Sequence, residues 1–331
     1  MTTRVGIPRA LLYYQYYPMW QAFFEEFGVE TAISPPTTKD IVTSGCSRTV
    51  AETCLPVKIF CGHVLSLVDK CDYMFIPVIR SMRKNTYNCS KLLGLPDITK
   101  AVIPESPPIL DVEIDANKSK YSLYRAIYSL GRHFTKNPLR IEKATKKAWK
   151  IYLAYRQKMS SEGLMPTQII DKICDKRHQV NLAENDSPPL LNIAVIGHPY
   201  LIYDDYINHR LITQVQAMGA KVLTPEMVSE QALDAAMTSL VGSPRWTYEA
   251  DVVGAGGYYL QTKVDGIIGL AAFACGPDSM MMNIIQRRAR QLKTPFLYLT
   301  LDEHTAEGGM LTRLEAFLDM VKRRKRGQSC A

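Results

Sequence analysis

Arg4-Val-Gly-Ile-Pro-Arg9, an apolar stretch from Tyr14 to Phe27 that stops at Gly28, and then Val29 to Ser34 read as strand, helix, strand. A helix joining two short apolar strands returns the chain to the edge where it began, so the strands run parallel. Thr37-Thr-Lys-Asp40 offers a capping hydroxyl ahead of a helix through Thr49 to Glu52, and Thr53-Cys-Leu-Pro56 is expected to break that helix. A helix from Val57 to Asp69 then leads into Tyr73-Met-Phe-Ile-Pro-Val-Ile79, whose almost purely apolar character predicts a strand buried on both faces.

The pattern turns mostly helical between Lys118 and Val180, with interruptions near Pro138 and at Gly163-Leu-Met-Pro166. Glu184-Asn-Asp-Ser-Pro-Pro189 reads as a linker. Beyond it the strand and helix alternation resumes. Leu190 to Ile196 is a strand, Ile207 to Met218 a helix closed by Gly219, and Lys221 to Thr224 a strand. Val264 to Leu270 and Pro295 to Thr300 are strands separated by a helix over Met280 to Leu292. The expected architecture is α/β: two Rossmann-like lobes with parallel sheets, residues 1–118 and 186–331, joined by a helical connector over 119–185.

The composition, 47% hydrophobic and 22% charged over 331 residues, is that of a folded chain and excludes a disordered or collagen-like one. The start runs straight into a strand pattern without a signal-peptide core, and apolar runs such as Ile267 to Cys275 are too short to span a bilayer. A cytoplasmic protein with no membrane association is the expectation. In a reducing compartment eight cysteines are core thiols, metal ligands or catalysts rather than a disulfide framework. Of the net charge of +8, five units sit in Lys322-Arg-Arg-Lys-Arg326 at the end of an amphipathic helix. Leu139 to Lys158 carries seven Lys/Arg against one Glu, but Ile141, Ala144, Ala148, Ile151 and Tyr155 recur at helical spacing. Without a stacking platform, nucleic-acid binding ranks below a docking surface for an acidic partner.

Three cysteines have glycine or proline close by: Cys54 in Glu52-Thr-Cys-Leu-Pro-Val-Lys58, Cys89 in Tyr87-Asn-Cys-Ser-Lys-Leu-Leu-Gly-Leu-Pro96, and Cys275 in Phe273-Ala-Cys-Gly-Pro-Asp278. Loops there would expose backbone N–H groups to a cluster. No Cys-x-x-Cys pair occurs, so the residues by themselves leave metal ligation and simple packing equally open. Cys71 and Cys174 take core positions, Cys330 lies in a tail, and Cys46 and Cys61 flank Cys54 closely enough to join a larger cluster, although packing is favoured for both. Asp302, Glu303 and His304 at a strand end are candidate acid–base groups, or orienters of a bound cluster, against a capped helix start at Thr305. His198, Tyr203, Asp204 and Asn208 follow another strand end, where an anion could sit; bulky His198-Pro-Tyr200 disfavours a dinucleotide. Gly254-Ala-Gly-Gly257 resembles a nucleotide loop superficially. His63 is a candidate donor to the site or a satisfied core or surface histidine, and Arg9 and Lys58 are charge-balancing cations or loop-surface residues.

Glu52-Thr-Cys-Leu-Pro-Val-Lys58 with Gly62-His-Val64, Tyr87-Asn-Cys89 with Gly94-Leu-Pro-Asp97, Gly197-His-Pro-Tyr200, Cys275-Gly-Pro-Asp-Ser279 and Leu301-Asp-Glu-His-Thr305 with Thr312-Arg-Leu-Glu-Ala-Phe317 together carry a resemblance. The chain resembles the activase-associated branch of the 2-hydroxyacyl-CoA dehydratase and benzoyl-CoA reductase superfamily, across nearly its whole length. The resemblance implies a low-potential [4Fe-4S] cluster held by Cys54, Cys89 and Cys275, or alternatively a double-cubane [8Fe-9S] cluster. It implies a dimeric, ATP-hydrolysing iron-sulfur activator as electron donor, and assembly into a homo- or hetero-oligomer. The reaction implied is dehydration of a 2-hydroxyacyl-CoA by a lyase through a ketyl radical, or reduction of a small molecule; a non-catalytic cluster carrier is the further alternative. No ATPase domain is evident in the chain, so the activator is expected to be a separate protein.

Overall fold

A computed structural model describes residues 2–174, 190–262 and 264–329. The chain divides into two compact units, Met1–Gln157 with Pro244–Tyr248, and Lys158–Ser243 with Glu249–Ala331. The described part of the expected connector, residues 119–174, is divided between them at Gln157, and the linker read at Glu184 to Pro189 lies outside the described residues. Among the described residues no helix is long and apolar enough to cross a membrane.

The first unit runs β1 (Arg4–Ile7), α1 (Tyr13–Glu25), β2 (Glu30–Ile33), α2 (Lys39–Arg48), α3 (Leu55–Leu65), β3 (Tyr73–Phe75), β4 (Val78–Ser81), α4 (Ser90–Leu93) and α5 (Leu95–Val102). It continues with β5 (Ile109–Leu110), β6 (Glu113–Asp115), α6 (Lys120–Arg132) and α7 (Pro138–Glu162), the unit boundary falling inside α7. The sheet order is β2-β1-β3-β5, all parallel, as the opening strand-helix-strand reading requires.

The strand expected over Tyr73 to Ile79 is two strands, β3 and β4, with Ile76 and Pro77 between them. The ladder to the neighbouring segment nevertheless continues, Ile76 N–H to Leu110 O and Val78 N–H to Val112 O, both at 3.0 Å. Donors alternate sides along a strand, so Pro77 points toward β1, whose pairing has already ended at Met74. The proline sits where a missing donor costs no ladder bond. A second proline is handled differently: Pro18 lies inside α1 and cannot donate to Tyr14 O, and the Tyr155 hydroxyl of α7 donates to that carbonyl at 2.6 Å instead.

The basic stretch is the solvated face of α7, with Ile141, Ala144, Ala148 and Tyr155 buried behind it. Part of its charge is used within the unit, since Lys143 and Lys147 pair with Glu26 at 2.6 and 3.4 Å.

The second unit contains α8 (Pro166–Cys174), β7 (Leu191–Ile196), α9 (Pro199–Ile202), α10 (Leu211–Ala217), β8 (Ala220–Leu223), α11 (Glu230–Val241) and α12 (Ala255–Gln261). It ends with β9 (Gly266–Ala272), α13 (Gly276–Gln291), β10 (Phe296–Leu301) and α14 (Glu307–Ser329). Its sheet is again parallel, in the order β10-β9-β7-β8. Every residue of β9 is buried, the mark of a strand covered on both faces. The helix expected from Ile207 starts only at Leu211, because His209 and Arg210 adopt left-handed backbone and interrupt the helical path. Gly254 to Gly257 is not a nucleotide loop. It lies inside a buried helical stretch, where a Cβ at Gly256 would strike the Ile285 side chain at 2.7 Å.

Both units therefore share one plan. The first strand sits inside the sheet, the second lies to one side and the third and fourth to the other, so the order reverses between the first and third strands. Ligands of such sheets bind beyond the carboxyl ends at that reversal. In the first unit it lies between β1 and β3, in the second between β7 and β9.

Candidate functional site

Cys54, Cys89 and Cys275 were expected in loops, and each is the residue immediately preceding a helix. Cys54 is the N-cap of α3, Cys89 of α4 and Cys275 of α13. None of the three side chains caps the helix it precedes. Pro56 and Pro277 lie in the first turns of α3 and α13, so Pro56 opens a helix rather than stopping one: proline loses nothing where the N–H has no intrahelical partner. Cys54 is buried, whereas Cys89 and Cys275 are half-exposed.

In the first unit the supporting geometry converges at the sheet reversal. Ile7 and Pro8 at the end of β1, Ile76 and Pro77 after β3, Phe60 of α3 and Leu95 of α5 line an apolar cavity of about 30 Å3. That volume holds roughly two waters and no cofactor, but it shows that α3 and α5 meet on the carboxyl side of the sheet. These are the helices that Cys54 and the Cys89–α4 turn lead into. Asn88 is buried and fixes Cys89: its amide donates to Ile79 O at 2.9 Å, and its carbonyl accepts the Cys89 N–H at 2.9 Å. The same loop is held from outside by Tyr87 N–H to Arg245 O at 3.0 Å and Thr247 N–H to Tyr87 O at 2.9 Å. Lys58 is buried one turn after Cys54 rather than on a loop surface, and Arg9 lies over the Tyr13 ring at 5.7 Å.

His63 is a satisfied core histidine, fully buried, with Nδ1 at 2.8 Å from Ser34 Oγ and Nε2 at 3.0 Å from Thr37 Oγ1. It ties α3 to the chain leaving β2. Burial first, and the Arg9 charge second, push its pKa from 6.5 down to about 3. Below pH 6.5 the unfolded chain therefore takes up a proton that the folded chain refuses. The His63 contribution to stability is complete above pH 6.5 and is lost as the pH falls toward 3. The expected slope is about 1.4 kcal/mol per pH unit, or roughly 2 kcal/mol between pH 6.5 and 5. Urea unfolding at a series of pH values checks this, with a shallower dependence expected for His63→Gln; an equal slope in the variant would assign the effect to other groups.

In the second unit the reversal carries ionisable groups. His198, the N-cap of α9, follows β7; Cys275 and Asp278 follow β9. Asp278 is 1% exposed, its Oδ1 lies 2.9 Å from His198 Nε2, and its Oδ2 accepts the Ala272 N–H at 3.0 Å. Burial raises the Asp278 pKa, but the pull of His198 and the hydrogen bond from Ala272 N–H help to outweigh it and hold the carboxyl below its ordinary value. His198 stacks on Tyr200, centroids 5.0 Å apart.

Other polar residues of this edge serve the fold. Asn208 donates to Leu201 O and Ile202 O at 2.9 and 2.8 Å, Asp204 accepts from Tyr206 and Ile207, and the Tyr203 hydroxyl donates to Glu226 at 2.6 Å. Asp302, Glu303 and His304 stand at the end of β10, beside β9. Asp302 closes a turn ahead of α14, accepting the His304 N–H at 3.0 Å and the Thr305 hydroxyl at 2.8 Å.

Among the remaining cysteines, Cys61 is fully buried inside α3, and burial pushes its thiol up to about 11. Cys71 donates to Leu67 O at 3.3 Å. Cys46 is half-exposed on α2. Cys330 and the side chain of Cys174 lie outside the described residues. Among the described residues, no group of three or more His, Cys, Asp or Glu side chains is placed to hold a metal ion. Sequence reasoning missed Asn88 and Asp278 as site residues. The signal was available in their spacing: one residue before Cys89, and in the first turn after Cys275.

A family model described as the CoA enzyme activase uncharacterised domain matches residues 4–228. That span includes Cys54, Cys89 and His198, while Cys275 and Asp278 lie beyond it. No curated protein matches the chain. Among solved structures, the SBP FpvC from Pseudomonas aeruginosa in complex with Ni2+ aligns at 13% identity, covering 98% of this chain and 96% of that one, with a TM-score of 0.28. The same protein in complex with Mn2+ aligns at 12% identity over 98% of both chains, also with a TM-score of 0.28. The superposition is too loose for fold or site to be inferred from it.

Proposed function

The chain belongs to the CoA enzyme activase uncharacterised-domain family, and from that membership we propose that it is an iron-sulfur redox protein serving CoA-thioester chemistry. Cys54, Cys89 and Cys275 are the proposed ligands of a [4Fe-4S] cluster. The observation that carries this reading is the shared placement of the three thiols, each directly ahead of a helix. Cys54 and Cys275 stand at the N-termini of α3 and α13, the positive ends of their helix dipoles. Three cysteine thiols are donors of the type such clusters take.

When bound, a cluster of this kind supplies single electrons at low potential. The chain's own part is to hold the ligands: Asn88 sets the Cys89 turn, His63 locks α3, and backbone groups around Cys275 set the third position. Glu303 and His304 are the proposed proton-transfer groups at the adjoining strand end, with Asp302 holding their turn. A double cubane is the weaker reading, since the buried thiol of Cys61 is a poor ligand.

Electrons would come from a separate ATP-hydrolysing iron-sulfur activator. The anaerobic chain, mixed with such an activator, a low-potential reductant and ATP, is expected to lose part of its visible iron-sulfur absorption only when ATP is present. Subsequent addition of a 2-hydroxyacyl-CoA thioester tests whether it serves dehydration. An absorption that never responds to activator and ATP would contradict the electron-accepting role.

A further inference from the structure

We propose that Asp278, backed by His198, is the positioning residue that fixes Cys275, clamping a strained turn from the helix side. The inference rests on the reading of Cys275 as a cluster ligand. Between β9 and α13 the chain turns through Ala272-Phe273-Ala274-Cys275, and Ala274 has φ of +62°, a left-handed conformation that an alanine does not choose unaided. An acidic residue in a first helical turn ordinarily reaches back to the N-cap N–H. Asp278 reaches past the N-cap to the last residue of the strand, accepting the Ala272 N–H at 3.0 Å.

Asp278 is 1% exposed, and its other oxygen, Oδ1, makes no hydrogen bond but lies 2.9 Å from His198 Nε2, an ion-pair contact from the end of the neighbouring strand. The clamp therefore spans the sheet reversal from β7 to β9. Phe273, by contrast, is 61% exposed, with its backbone N–H on Leu301 O at 2.8 Å, so side-chain packing does not hold this turn. A fixed negative charge beside one ligand sulfur also lowers the potential of whatever that sulfur binds.

The test uses the full anaerobic chain and three variants. Asp278→Asn keeps shape and an acceptor for the Ala272 N–H but removes the charge: iron content is expected to stay near that of the parent, the midpoint potential to rise, and the electron paramagnetic resonance spectrum of the reduced protein to change. Asp278→Ala removes the clamp and is expected to lower bound iron severalfold. Hydrogen–deuterium exchange of the peptide over residues 272–278 should quicken in Asp278→Ala and in His198→Gln. Potential and spectrum unchanged in Asp278→Asn would overturn the proposal, as would unchanged exchange in Asp278→Ala. A parent chain that binds no iron would sink the cluster reading, while the exchange measurement would still decide the clamp.

Discussion

Gly62→Ala is expected to unfold the first unit or leave it barely stable, with a loss of roughly 3–5 kcal/mol. Helices α2 and α3 cross with their backbones in contact. A Cβ at Gly62 would overlap the carbonyl of Ile41, and one at Gly45 would overlap the carbonyl of Lys58, with Gly62 N only 2.9 Å away. The obstacle is backbone in both cases, so no rotamer change relieves it, and the helices would have to part. Separation would expose the buried face of α3, including Ile59, Cys61 and Val64, and would displace Cys54 at its start. Gly45→Ala should behave the same way, whereas Gly308→Ala, where a Cβ meets nothing within 4 Å, should be silent. Chemical denaturation of the three variants checks this; a Gly62→Ala protein as stable as Gly308→Ala would refute the close crossing.

Cys54→Ser, Cys89→Ser and Cys275→Ser are each expected to abolish most cluster binding, because a neutral hydroxyl replaces a thiolate at one of only three protein ligands. The loss should come without unfolding: Cys89 and Cys275 are half-exposed, and serine is a better N-cap residue than cysteine. Circular dichroism that stays native while iron disappears is the expected pair of observations. Cys71→Ser is the control, since that thiol is engaged with Leu67 O and should keep its iron. Equal iron loss in all four variants would point to general instability rather than ligation.

Much of the fold was legible because buried parallel strands are written as apolar runs, and β7, β9 and β10 lie within two residues of their expected positions. Thr38 caps α2 as its hydroxyl suggested, accepting the Ile41 N–H at 3.4 Å. The errors cluster where one residue type carries two meanings. Proline breaks a helix interior and opens a helix start, and Pro56 was read the first way when it acts the second. Cysteine is not among the usual N-cap residues, so nothing in the local pattern marked Cys54, Cys89 or Cys275 as helix starts. The clamp at Asp278 depends on His198 reaching it from another strand, a relation fixed only by sheet order. Pro77 escaped notice because its apolar ring suits a buried strand even though its nitrogen cannot join the ladder.

The most direct measurement is the iron and acid-labile sulfide content of the full chain purified without oxygen. About four irons and four sulfides per chain are expected, falling to background in Cys275→Ser as well as in Cys54→Ser and Cys89→Ser. A colourless parent chain, folded but without iron after anaerobic reconstitution, would contradict the cluster and with it the redox role.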